Sequence, residues 1–130
     1  MNSSSIRTPL AIAESLTELW SPQVIAEVDD MYVKVAKVRG EMDWHAHEHE
    51  DEMFFILRGE FTLEFDDGRM VLRPGELFVV PRGRRHHPMA KEECLLMLFE
   101  RKETAHTGDA RTAQTKSIAQ QLRWLAAQAE

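Results

Sequence analysis

Cysteine is nearly missing from this chain: Cys94, in the run ECLLMLF, is the only one, so no internal disulfide can form and the chain suits a reducing compartment. Its expected place is a buried strand position, where a free thiol behaves as a small core hydrophobe. No basic stretch has the make-up of an anionic-lipid anchor. With 16 Lys and Arg against 22 Asp and Glu the formal net charge is -6, which argues against a function whose affinity comes from nucleic-acid phosphates. No apolar run approaches the roughly 20 residues of a membrane-spanning helix. The N-terminal stretch MNSSSIRTPLAIAESLTELW puts Arg7 ahead of apolar residues, but Glu14 and Glu18 interrupt the apolar core that a secretory signal needs. Internal repeats and low-complexity tracts are absent as well. These absences lead to the expectation of a cytoplasmic protein with neither a membrane nor a nucleic acid as partner.

What is present reads as one domain. The 130 residues are 43% hydrophobic and 29% charged, long enough to bury roughly two-thirds of the unfolded chain's surface. Thr8 followed by Pro9 is a helix start, and Ile12, Leu16 and Leu19 or Trp20 share a face of the predicted helix over 10–20, which Pro22 ends. From Val24 the texture changes to short apolar runs: VIAEV, MYVKVAKV, EMFFILRG, EFTLEF, MVLR, ELFVVP and CLLMLF. Between them Asp29-Asp30, Asp66-Asp67-Gly68, Pro74-Gly75 and Gly83 can reverse the chain. So many short strands without intervening helices predict an all-β, antiparallel sandwich or barrel.

The expected organisation is an N-terminal helical arm over 1–23, a β-barrel over 24–101, and a C-terminal arm and helix over 102–130. The last helix is read from Ser117 onward through Ile118, Leu122, Leu125 and Ala129. MFFILR and CLLMLF are apolar on both faces, so Met53, Phe55 and Leu57 should meet the N-terminal helix or a second subunit. A homodimer is expected on that ground.

Residues 44–59, WHAHEHEDEMFFILRG, carry the chemistry. Side chains at i and i+2 of an extended chain share a face, so His45 and His47 can converge on one ion. Glu48 to Asp51 can form a polar turn, after which Glu52 opens the next strand in phase with Phe54 and Ile56 and becomes a candidate third ligand. A fourth group comes from GELFVVPRGRRHHPMA, where Pro81 and Gly83 make a turn and His86 re-enters the barrel.

Together these stretches resemble the two motifs of the cupin superfamily. The first runs from Gly40 through His45 and His47, four residues, Glu52, six residues and Gly59; the second from Gly75 through five residues, Pro81, one residue, Gly83, two residues and His86. Departures are few: four residues, where cupins often have five, separate Gly40 from His45, and Ala90 stands where the second motif usually ends in asparagine. The resemblance is to a small single-domain cupin of the type-2 group. It implies a double-stranded β-helix, or jelly-roll barrel, with His45, His47, Glu52 and His86 as metal ligands.

Such a ligand set leaves one or two positions for water or substrate. It suits a divalent transition metal, with iron, manganese, nickel, zinc and copper all compatible. The resemblance implies a metal-dependent enzyme acting on a small-molecule ligand or substrate, with isomerase and dioxygenase chemistry the commonest forms. The alternatives are a small-molecule binding or sensing cupin without turnover, and a metal-free scaffold with a filled barrel.

Trp44, Phe54, Ile56, Phe78 and Val80 are candidate pocket walls, Trp44 being expected to pack rather than to stack on a substrate. His49 falls in the turn and is expected to face solvent or support the site from outside. His87 should point away from His86, and His106 should lie on the surface unless the C-terminal arm covers the barrel mouth. Arg82, Arg84 and Arg85 are expected to be solvated, or to meet an anionic substrate at that mouth.

Overall fold

A computed structural model describes residues 5–128. Ala129, assigned above to the last helix, lies outside them, as do the first four residues of the N-terminal arm. The described elements are α1 (Pro9–Ser15), β1 (Gln23–Val28), β2 (Met31–Glu41), β3 (Glu52–Arg58), β4 (Phe61–Phe65), β5 (Gly68–Leu72), β6 (Leu77–Val80), β7 (His87–Arg101), α2 (Ile118–Gln121) and α3 (Arg123–Ala127). Every strand pairing is antiparallel, and the architecture is that of the cupin jelly roll.

Strand β7 is the spine. One edge pairs with β2 from Met31↔Arg101 to Glu41↔Met89, with a bulge between Val38 and Gly40. The other edge pairs with β3 through Leu95 to Phe99 and with β4 through His87 to Met89. Two-residue turns at Asp29-Asp30 and Asp66-Asp67 close the β1–β2 and β4–β5 hairpins. Gly59 turns β3 into β4 at φ +86, with its α-carbon pressed so close to Glu93 O and Cys94 that no side chain would fit.

The sequence hid half of β7, because Lys91, Glu92 and Glu93 are exposed and break the apolar run, while Pro88, Ala90 and Cys94 keep facing inward. The sheet is not closed: β1, β5 and β6 each pair on one side only. Ile56, Phe61, Leu63 and Leu96 belong to the buried core between its strands.

The N-terminal helix is shorter than its periodicity predicts. Leu16 leaves helical geometry at ψ 139, and Leu19 then bridges Lys37 in parallel. Trp20, at φ 56, is held by bonds from its backbone N–H to Lys37 O (2.9 Å) and its indole N–H to Arg39 O (2.8 Å). Carbonyls at the margin of β2 thus capture the segment that would have extended the helix. What remains of α1 buries Ala13 and packs Leu10, Ile12 and Leu16 against Val35, Leu57, Leu95 and Met97. Met53 and Phe55, on the same outer face of β3, stay partly exposed.

The expected C-terminal helix is broken at Leu122 (φ -92, ψ 0) into two short ones. Ser117 and Gln120 form a reciprocal cap on α2, and Leu125 packs with Val24 and Tyr32. Among the described residues no helix is long and apolar enough to cross a membrane.

Candidate metal centre

The two histidine-bearing loops are joined by backbone bonds. His45 N–H donates to His86 O (3.0 Å) and His86 N–H to His45 O (2.9 Å), while Gly83 N–H donates to His47 O (2.8 Å). Within the segment 44–47 His45 makes an isolated bridge to His86, and among the described residues the segment has no other ladder pairing. Glu52 enters from β3, paired with Val80 just ahead of the Pro81–Gly83 turn. The fold therefore brings the four expected side chains together: one ligand atom each of His45, His47, Glu52 and His86 lies within 4.8 Å of the others, and all four residues are buried.

Second hydrogen bonds set two of the rings. His45 Nδ1–H donates to Asp43 O (2.8 Å) and His86 Nδ1–H to Arg84 O (3.0 Å); a carbonyl only accepts, so in both rings Nε2 is left with a lone pair for the centre. Glu52 Oε1 stands 3.2 Å from His47 Nε2 and 3.6 Å from His86 Nε2. Yet His47 Nδ1 and Nε2, Glu52 Oε1 and His86 Nε2 are all buried without a hydrogen bond. Leaving such atoms unpaired costs about 1–3 kcal/mol each. Donors held about 2.1 Å from a shared cation stand roughly 3 to 4 Å apart, so a slight contraction would place all four on one ion. The residues fit a metal.

Charge follows geometry. Burial, and next the His86 ring, pull the His45 pKa from 6.5 down to about 4. Burial would lower His47 as well, but the Glu52 carboxylate outweighs it and raises that ring to about 9. Burial works against ionising Glu52, and the His47 imidazolium nevertheless holds it well below the ordinary carboxylate range.

Beside His45 and Glu52 lies a cavity of about 40 Å3; one water needs ~10–15 Å3 on such a measure, so the space suits a few heavy atoms. Trp20, Met42, Phe54, Phe61 and Leu98 give it apolar walls, and Lys34, Glu100 and His106 give it a polar side. Lys34 Nζ donates to Glu100 Oε2 (2.8 Å) and to Gln121 Oε1 (2.7 Å), deep in the fold. Burial and the neighbouring Glu52 push the Glu100 carboxyl above its usual range, while Lys34 pulls the other way.

Of the pocket candidates, Phe54 lines this cavity. Ile56 and Val80 are instead buried in the core, with Phe78 packed against it. Trp44 lies outside, stacked on His87 with ring centroids 5.2 Å apart, because the bridge at His45 turns the neighbouring side chain to the opposite face. His87 does point away from His86, bonded to Glu64 and Glu41 at 3.0 Å each. His49 is exposed beside Glu48. Arg82 and Arg84 pair with Asp51 and Asp67, and Arg84 and Arg85 lie over Phe65 and Trp44.

His106 is partly buried and lines the cavity, the alternative in which the arm covers that part of the barrel. The arm carrying it is pinned where Asp109 N–H donates to Ala46 O (2.9 Å) and Ala46 N–H to Asp109 Oδ1 (2.9 Å). Lys34, Glu100 and Trp20 were not named as cavity residues from the sequence. A signal existed for two of them: Lys34 is in phase with Tyr32, Ala36 and Val38, and Glu100 with Leu96 and Leu98.

Comparison with known proteins agrees with this fold. The chain is 33% identical over 101 residues to YdbB of Bacillus subtilis (strain 168), covering 77% of this chain and 89% of that one. A cupin-2 domain protein of Shewanella frigidimarina NCIMB 400 superposes with a TM-score of 0.73 at 39% identity, over 75% of this chain and 95% of the other. NMB1881 of Neisseria meningitidis superposes with a TM-score of 0.69 at 28% identity, over 75% of this chain and all (100%) of the other. Residues 31–99 match the model of the Cupin domain family, Cupin_2, and the chain belongs to that family.

Proposed function

We propose that this protein is a metal-dependent enzyme that acts on a small molecule at the centre formed by His45, His47, Glu52 and His86. The observation that carries the reading is the convergence of four buried donor atoms, three of them without a hydrogen bond, beside a small cavity that His45 and Glu52 also line. A divalent transition metal there would supply Lewis-acid or redox chemistry, the form expected in an isomerase or a dioxygenase. The protein's own part is to fix the rings by the Asp43 and Arg84 carbonyls and to keep bulk water out with apolar walls. Glu100, between Glu52 and Lys34, offers a carboxyl whose raised pKa suits proton exchange with a molecule in the cavity.

Metal analysis of protein purified without added ions tests the reading. Near-stoichiometric metal is expected, with His47→Ala reducing it to background; full occupancy in the variant would refute the ligand assignment. Oxygen uptake with phenols, thiols and keto acids, together with sugar-phosphate isomerisation, then separates turnover from binding. Ligand binding without any turnover would favour a sensing cupin.

We further propose that a second copy of the chain covers the outer face of β3 and β6. Met53 pairs with Val79 and Phe55 with Leu77, and Leu77 and Val79 are 55% and 44% exposed on a strand with an unpaired edge. Such a face invites association unless it is covered.

A further inference from the structure

We propose that His106 is a substrate-binding residue, its Nε2–H donating a hydrogen bond to a carbonyl- or enolate-type oxygen of a small, largely apolar molecule in the cavity beside the metal centre. The proposal rests on the metal-site reading above and names the ligand class for it.

The first support is position. His106 belongs to the C-terminal arm, which the metal-ligand segment itself holds in place: Ala46, between His45 and His47, exchanges two hydrogen bonds with Asp109. Gly108 lies so close to Ala46 O that no side chain could be added there. Movement of the arm and movement of the ligands are thereby linked.

The second support is the tautomer. The backbone N–H of Lys116 donates to His106 Nδ1 (2.9 Å). A backbone amide can only donate, so the ring's lone pair is at Nδ1 and its proton at Nε2. That is the reverse of His45 and His86, whose Nδ1 protons go to carbonyls and whose Nε2 lone pairs suit a cation. His106 is thus built as a donor and not as a fifth ligand. No described residue accepts its Nε2–H, and His106 lines both this cavity and an open depression under the arm.

The surroundings keep this donor neutral. Burial, and next the Lys34 cation, lower the His106 pKa to about 4; Glu52 opposes this, and His45 and Lys116 reinforce it. Lys34 itself is occupied by Glu100 and Gln121. A ligand therefore meets a neutral donor, apolar walls and room for a few heavy atoms, a combination suited to a short oxygen-bearing molecule and unsuited to a cation.

The test uses cobalt(II)-loaded protein titrated with acetohydroxamate, a small oxygen chelator, and followed by visible absorption. His106→Leu is expected to weaken acetohydroxamate by roughly tenfold, one hydrogen bond's worth, with cobalt content unchanged; His106→Gln, which keeps a donor near the Nε2 position, should restore most of the affinity. Equal affinity in His106→Leu at equal cobalt content would overturn the proposal while leaving the metal site intact. Should that variant fail to fold, 15N spectra of the zinc-loaded wild type decide. A His106 Nε2–H tautomer whose proton shifts on adding acetohydroxamate supports the proposal; an Nδ1–H tautomer, or an unmoved signal, overturns it. Wild-type protein that loads no metal would refute the underlying reading and this one with it.

Discussion

His47 and His45 are neighbours on one segment, yet their surroundings drive them in opposite directions. His47 titrates near 9 and His45 near 4, against 6.5 for a free ring. In the metal-free protein the His47 contribution to stability is therefore fully present below pH 6.5 and lost as pH rises through 9. The His45 contribution is present above 6.5 and lost as pH falls through 4. For these two rings, stability against urea should peak near pH 6.5 and decline on both sides; a steady rise from 6.5 to 9 would contradict the His47–Glu52 pairing. Metal uptake at neutral pH should also release about one proton from His47, measurable by calorimetry in buffers of different ionisation enthalpy. Gly108 offers a backbone test: at φ +58 and against Ala46 O, Gly108→Ala should cost about 1–3 kcal/mol of stability, read as a lower urea midpoint, and should loosen the arm at the metal centre.

At the scale of elements, β2, β7 and α2 meet at one buried polar triad. Lys34 reaches Glu100 across 66 positions of sequence and Gln121 across 87. Lys34→Met should destabilise by about 1–3 kcal/mol, because it leaves a buried, protonated carboxyl without its partner. The double variant Lys34→Met, Glu100→Leu should recover much of that loss, and chemical denaturation of the three proteins checks the pattern. These long separations explain what could be read in advance. Three of the candidate ligands were legible because their spacing is local: His45 and His47 flank one residue, and Glu52 starts the next strand, whereas His86 was placed by resemblance to the second cupin motif. Strand phase alone shows that Lys34 and Glu100 face inward, but not that they face each other or border the metal cavity. The arm was opaque for a different reason. Its residues 102–117 form turns without hydrophobic periodicity, so nothing local told that Asp109 would pin the arm to Ala46 and Lys116 would bond the His106 ring at the cavity.

Across the whole molecule, strand number and hairpins followed from alternation and turn residues, whereas sheet order depended on one long strand whose charged middle concealed it. The outer apolar face has a prediction of its own. If a second copy covers β3 and β6, sedimentation should give twice the monomer mass, and Leu77→Glu should give a monomer that still binds metal. Monomeric wild-type protein at high micromolar concentration would contradict that assignment.

The central claim is that four side chains from three segments share one cation. Crystals of protein purified without added metal, measured at the absorption edge of whatever element is found, test it most directly. An anomalous peak about 2.0–2.2 Å from a nitrogen of His45, His47 and His86 and from a Glu52 oxygen is the expected result. A map with no peak among those four residues, or with the peak at another site, would contradict it.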